Sequence, residues 1–204
     1  MTTAEEVLSF WFGSLTDPTQ WDKAKEQLWF QSTQEWDQEI ERNFKDDVHQ
    51  AARGEYAAWG SAPKGCLALI ILLDQFPRNV FRGSSEVYAY DSLAQTCCLE
   101  GISLGLDQKL FPIERQFFYL PLMHSEEISH HKLSLSYYRK LKEEAGPRSA
   151  AYFSNVLEYA EGHYNIVKSY GRFPHRNAIL NRRSTQEEQA YLSKQTHSYG
   201  QSAK

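Results

Sequence analysis

The sequence predicts an all-α protein. With 11 Gly and 7 Pro in 204 residues, it has few of the residues that the many turns of a β-rich fold require. Apolar residues recur at helical spacing in several long segments, and capping motifs precede some of them. No alternating run followed by a hairpin turn appears. We therefore expect about eight or nine helices joined mostly in antiparallel pairs, similar to a helical array.

The first two helices are predicted from a capping motif and from aromatic spacing. Thr3-Ala-Glu-Glu6 is a capping box, and Gly13 ends the short apolar segment that follows it. A long helix is predicted from about Lys25 to Arg53, because its apolar residues follow a three- or four-residue spacing. The one exception is the seven-residue step between Trp29 and Trp36.

The stretch Gly65–Gly83 is the most apolar part of the chain and also ends in a dense polar cluster. Its run Leu67–Leu73 predicts a buried helix. Pro77 biases Phe76 away from helical angles, so we expect this helix to end near Gln75 and to be followed by a polar turn.

The C-terminal half predicts further helices of ordinary length. They are expected from Ser84 or Ser85 to about Glu100, over Ile113–Met123, from Ser125 to Ala145, over Arg148–Tyr170, and from a capping box at Ser184–Glu187 to about Lys194. Pro121 should kink or end the second of these. We expect one helical domain over residues 1–196 and a disordered tail over 197–204.

Composition excludes several classes of function. A net charge of −4 disfavours nucleic acid as a partner. The three cysteines are typical of free thiols in a reducing compartment. No signal peptide is apparent and the longest apolar run is too short to span a bilayer, so we expect a cytoplasmic protein without membrane contact. An aromatic content of 14% is compatible with a homodimer.

Two turns about a hundred residues apart resemble each other. Asp74–Gly83 reads DQFPRNVFRG, and Gly171–Arg182 reads GRFPHRNAILNR. In one interpretation, their Arg and Asn side chains satisfy the carbonyl groups at helix ends. In the other, an anion-binding cavity is formed by Arg78, Arg82, Arg172, His175 and Arg176, with Asp74, Glu114 and Glu126 as internal counterions.

A third polar segment surrounds His124. This imidazole is a candidate general acid or base, with Glu126 fixing its tautomer, while Ser125 is a plausible N-cap. Glu127 and His130 have the spacing of a di-metal motif but lie on a polar helix face, so we expect no metal. No glycine-rich phosphate loop is present, and no cofactor is expected.

Three motifs then identify a resemblance that covers the chain from about Val7 to Leu192. LALIILLDQFPRNVFRG, YLPLMHSEE and GRFPHRNAILNRRSTQEE resemble the bacterial family known as domain of unknown function 924. The resemblance implies a tetratricopeptide-like helical fold without an assigned activity. It also implies that the shared polar residues, such as Gln75, Asn79, Arg115 and Asn177, belong to a site.

These observations leave three hypotheses open. The protein binds a small anionic molecule or a carboxylate-bearing peptide, or it is an enzyme acting on a small anionic metabolite, or the polar cluster is purely structural. The catalytic candidates are His124, His175, Glu126 and Asp74. The ligand-binding candidates are Gln75, Arg78, Asn79, Arg82, Arg115, Tyr119, Ser125, Arg172, Arg176 and Asn177.

Overall fold

The computed structural model describes residues 2–194, which form nine helices and no strand within that range. The helices are α1 (Ala4–Phe12), α2 (Lys23–Phe30), α3 (Gln34–Ala52), α4 (63–80, in three segments), α5 (Asp91–Ser103), α6 (Pro112–His124), α7 (Ile128–Glu144), α8 (Ala150–Tyr170) and α9 (Gln186–Leu192). The prediction of an all-α protein is confirmed. Nowhere in residues 2–194 is a helix long and apolar enough to cross a membrane. The expected tail, 197–204, lies outside the described residues.

Helix α4 continues through the position where the sequence predicted its end. Its α-helical segments Pro63–Ile70 and Phe76–Val80 are joined by a π-helical turn, Ile71–Gln75. The Phe76 N–H donates to the Ile71 carbonyl, five residues earlier, and this wider turn accommodates Pro77 directly after it. The predicted end near Gln75 is therefore wrong, and the polar cluster lies on a continuous helix.

The predicted helix 25–53 is in fact two helices. Helix α3 begins after Thr33, whose side-chain hydroxyl accepts the Trp36 N–H at 3.2 Å. This cap separates α2 from α3 at the seven-residue step between Trp29 and Trp36. The helix predicted from Ser84 also begins later, because Ser85–Tyr88 forms a 3-10 turn before α5.

Two further boundaries differ from the prediction. Pro121 does not end α6, which continues to His124. All residues from Ile113 to Met123 are buried, so tertiary packing compensates for the backbone hydrogen bond that proline removes. The last capping box is formed by Thr185 and Glu188, one residue later than predicted.

The core is organised around α4. Its apolar segment, 67–73, is buried throughout, and the main hydrophobic cluster also contains buried residues of α1, α3, α5, α6, α7 and α8. Helix α4 packs against α1, α3, α5 and α6, and α7 packs against both α6 and α8. The polar residues that end α4 are therefore held inside the protein.

Candidate functional site

Asp74 and His124 form a carboxylate–imidazole pair between α4 and α6. Asp74 lies in the π-helical turn and is fully buried, and His124 is the last residue of α6. His124 Nδ1 lies 2.8 Å from Asp74 Oδ1 and 3.0 Å from Oδ2. The Gln75 side-chain amide also donates to this carboxylate, and Arg78 Nη2 lies 3.3 Å from Oδ1. The two site candidates Gln75 and Arg78 are thus brought to the Asp74–His124 pair.

The surroundings of the pair determine its protonation at neutral pH. Burial opposes the ionisation of Asp74, but the charge of Arg78 and the hydrogen bonds from His124 and Gln75 outweigh it and hold the pKa of Asp74 well below its usual value. Burial and the Arg78 charge lower the pKa of His124, against the opposing effect of Asp74. We infer that His124 is neutral, that its Nδ1–H donates to the Asp74 carboxylate, and that Nε2 carries the lone pair.

Nε2 of His124 is the available atom of this pair. It makes no hydrogen bond within residues 2–194, and the imidazole side chain is 14% exposed. A neutral imidazole held in this tautomer by a carboxylate can accept a proton at Nε2.

Asp91 links the two similar turns. Its Oδ1 lies 3.0 Å from Arg78 Nη1, and its Oδ2 lies 3.2 Å from Arg176 Nη1. Arg176 Nη2 donates to the carbonyl of His124 at 2.9 Å, so the arginine also satisfies a carbonyl at the end of α6. The structure therefore brings Arg78 and Arg176 together, and Arg176 satisfies a helix-end carbonyl as the first interpretation of the turns expects.

Aromatic rings enclose the Arg176 guanidinium. Its centre lies 4.4 Å from the ring centroid of Tyr88 and 4.5 Å from that of Phe173, while Arg78 lies 5.8 Å from the Tyr88 ring. Burial raises the pKa of Tyr88, although both guanidiniums oppose it. Neither Asp91 nor Tyr88 was singled out from the sequence.

His175 lies beside Phe173. Its ring is 5.4 Å from the Phe173 ring, and burial together with Arg176 lowers its pKa to about 4. His131 and His163 also lie against Phe173, at 5.8 and 5.5 Å between ring centroids. His124 is the predicted proton carrier whose Nδ1 lies within hydrogen-bond distance of a carboxylate, that of Asp74.

Glu126 belongs to a different network, so the prediction that it fixes the His124 tautomer is wrong. Its carboxylate accepts from Arg182 at 2.6 and 2.9 Å and from the Phe173 N–H at 2.8 Å. Arg182 Nε also donates to Asn177. These contacts fix the segment after α8 against the start of α7.

Arg172 likewise lies outside the Asp74 cluster. It forms a bidentate pair with Glu188 at 2.6 and 2.8 Å, and Asn177 donates to the same carboxylate at 3.2 Å. The prediction that Ser125 is the N-cap of the helix after His124 is wrong, because the N-cap of α7 is Glu127, which has no side-chain cap hydrogen bond. The Ser125 hydroxyl accepts the Glu127 N–H at 3.1 Å and lies 2.9 Å from His130 Nδ1.

The remaining candidates lie in separate ion-pair networks. Arg82 and Asn79 bind Asp37 on α3, with Arg82 Nε at 2.7 Å and the Asn79 amide at 2.8 Å. The prediction that Arg82 and Arg172 share one cavity with Arg78 and Arg176 is therefore wrong, because each pairs with its own carboxylate.

Three further predicted residues lie on α6. Arg115 Nη1 donates to Glu144 at 2.7 Å, and its Nε donates to Tyr119 at 3.2 Å. The Tyr119 hydroxyl in turn donates to Asp107 at 2.6 Å. Glu114, an expected counterion of the arginines, instead pairs with Lys64. Across residues 2–194, no group of three or more His, Cys, Asp or Glu side chains could hold a metal ion.

Comparison with known proteins identifies relatives but no activity. A solved structure from Agrobacterium tumefaciens, described as the protein of unknown function ATU0120, is similar with a TM-score of 0.80 and 37% sequence identity, over 94% of this chain and 97% of that one. No curated protein matches the sequence. Residues 7–196 match the family described as bacterial protein of unknown function (DUF924). The chain therefore belongs to the DUF924 family.

Proposed function

We propose that this protein is an enzyme that transfers a proton to or from a small anionic molecule, with His124 as the general base. The observation that carries this proposal is the Asp74 carboxylate on Nδ1 of His124, with Nε2 left available. This pair combines a fixed imidazole tautomer with a ring nitrogen that makes no hydrogen bond within residues 2–194.

The proton transfer follows from the charges around His124. Nε2 takes a proton from the bound substrate, or from a water that attacks it, and Asp74 stabilises the resulting imidazolium. In a second step the imidazolium returns the proton to the product. Because the pKa of His124 is lowered, the base form persists at pH values where a free histidine would be protonated.

Charge balance narrows the proposed substrate. The negative charges of Asp74 and Asp91 offset the positive charges of Arg78 and Arg176, so these four groups sum to zero. A substrate with a single carboxylate, held by hydrogen bonds from guanidinium N–H groups, suits such a site better than a polyphosphate.

A test that preserves the fold uses His124→Asn. The Asn side-chain amide can replace Nδ1–H as the donor to Asp74, while Nε2 is lost. The wild type and this variant are incubated with a panel of small carboxylates. Binding is followed by thermal shift, and turnover by mass spectrometry. His130→Asn is the matched control, because His130 lies at the start of the next helix and contacts Ser125 rather than Asp74.

We expect a compound that stabilises both proteins but is converted only by the wild type and the control. Its kcat/KM should fall by about 10²- to 10⁴-fold in His124→Asn. Normal turnover by that variant would refute the proposal. Binding of a small anion or of a carboxylate-bearing peptide without conversion would instead favour a ligand-binding protein.

A structural role is the second candidate, and one observation favours it. Asp91 bridges Arg78 and Arg176, and Arg176 binds the last carbonyl of α6, so these contacts join three helices and the segment after α8. If this were the whole role, no compound in the panel would bind.

The tetratricopeptide-like arrangement stays part of the proposal. It is supported by the packing of successive helices, α6 on α7 and α7 on α8. We expect a solution structure determined by NMR to give antiparallel axes for both pairs; other crossing angles would reject the array.

A further inference from the structure

Cys66 and Cys97 lie opposite each other between α4 and α5. Their Sγ atoms are 3.5 Å apart. Each thiol also contacts the backbone carbonyl of the other residue, at 3.5 Å for Cys66 Sγ and 3.7 Å for Cys97 Sγ. Two independent thiol–carbonyl contacts therefore turn the sulfur atoms toward each other.

We infer that Cys66 and Cys97 are a site of reversible disulfide formation, with a low-molecular-weight disulfide as the oxidant. A disulfide bond is about 2 Å long, so the sulfur atoms must approach by about 1.5 Å. Cys97 is partly exposed and can meet the oxidant, whereas Cys66 is 1% exposed and is reached only through Cys97. This inference does not depend on the proposed function.

The exchange takes place in two balanced steps. Cys97 loses its proton and attacks one sulfur of the oxidant; the S–S bond breaks, and one small thiol leaves with a proton. Cys66 then loses its proton and attacks the Cys97 sulfur of the mixed disulfide, which expels the second small thiol. Two protein thiols are oxidised while one small disulfide is reduced to two thiols.

The environment of Cys97 makes the first step slow at neutral pH. Its hydrogen bond with Cys66 and its burial raise the pKa of Cys97, so little thiolate is present. Alkaline buffer should therefore accelerate the exchange. The product would join α4, which carries Asp74 and Arg78, to α5, which carries Asp91.

The test treats the folded full-length chain with oxidised glutathione at mildly alkaline pH. Intact mass is measured without reductant, followed by tryptic mapping. Cleavage after Lys64, Arg78 and Arg82 places Cys66 in its own peptide but leaves Cys97 and Cys98 together. Cys98→Ala assigns the link, because it leaves Cys97 as the single thiol of that peptide.

We expect the wild type and Cys98→Ala to lose two hydrogen atoms in mass and to join the two peptides, with reversal by dithiothreitol. Cys66→Ser should stop at a stable glutathione adduct on Cys97, because the second thiol is missing. Should Cys66→Ser fail to fold, the mapping of the wild type and Cys98→Ala still decides. Retention of all thiols by the wild type, an adduct that persists on Cys97, or a link that disappears in Cys98→Ala would overturn the inference.

Discussion

Asp91→Asn tests whether the two similar turns depend on one carboxylate. Asp91 pairs with Arg78 at 3.0 Å and with Arg176 at 3.2 Å. The arginine side chains are only 16% and 8% exposed, so water cannot replace the lost charge fully. The substitution keeps the shape of the side chain and one acceptor oxygen, but it leaves two guanidiniums with less compensation.

The magnitude follows from the burial of the network. Removing one partner of a buried ion pair costs about 3–5 kcal/mol, because a buried charge remains uncompensated. Arg78 keeps Asp74, and Arg176 keeps the His124 carbonyl, so we expect the lower end, about 3 kcal/mol. For a chain of this length that corresponds to a decrease in Tm of about 6–12 °C.

Urea unfolding followed by circular dichroism measures this change. Glu41→Gln is the control, because its pair with Lys45 is about half exposed on both sides and should contribute less than about 1 kcal/mol. The slope of unfolding free energy against urea should be unchanged in both variants. If Asp91→Asn loses no more stability than Glu41→Gln, the carboxylate does not support the arginines and our account of the turns fails.

Three further outcomes are expected. Gly101→Ala should destabilise the protein by about 1–3 kcal/mol, since a Cβ there would lie 2.5 Å from Phe118 Cζ. Gly162→Ala is the control, because the space around Gly162 is open, and it should leave the thermal stability unchanged or raise it in the same melts. Burial lowers the pKa of His131 to about 4 in the folded protein, so the unfolded chain takes up this proton at a higher pH. The contribution of neutral His131 to the free energy of unfolding is therefore complete above about pH 6.5 and is lost as the pH falls toward 4, by about 2 kcal/mol at pH 5. Urea titrations at pH 7 and pH 5 measure this decrease in the free energy of unfolding, and the decrease should be about 2 kcal/mol smaller in His131→Gln than in the wild type. Thr185→Ala should cost about 1 kcal/mol by chemical denaturation through loss of the cap on α9, and an unchanged midpoint would contradict the role of that hydroxyl.

Local sequence signals predicted helices well and their interruptions less well. Periodicity identified the apolar faces, and the capping box at Thr3 is present as predicted. The rule for residues before proline failed at Pro77, because Phe76 keeps helical angles and the helix continues through the π-helical turn past Pro77. The cap at Thr33 was overlooked because the apolar spacing extends across it.

The polar cluster around Asp74 and Arg78 was predicted in part, and the residues that were missed share a physical cause. The arginines of the two turns could be recognised, since each lies in a repeated local motif. Their carboxylate could not be recognised, because Asp91 is 85 residues from Arg176 and has no motif of its own. Of the three predicted counterions, Asp74 pairs with Arg78, but Glu114 pairs with Lys64 and Glu126 with Arg182, 56 residues away.

The charge balance at Asp74 also explains why we favour proton transfer over static anion binding. The lowered pKa of Asp74 and the raised pKa of Arg78 keep both groups ionised near neutral pH, so their field is fixed. In the proposed reaction, His124 becomes cationic at the moment the substrate loses its proton. The new positive charge then lies beside the new negative charge, in a buried site where water screens their attraction poorly. Before the reaction the charges of this cluster sum to zero, so it attracts a dianionic substrate weakly. Once His124 is protonated, the cluster stabilises the additional negative charge that deprotonation of the substrate creates.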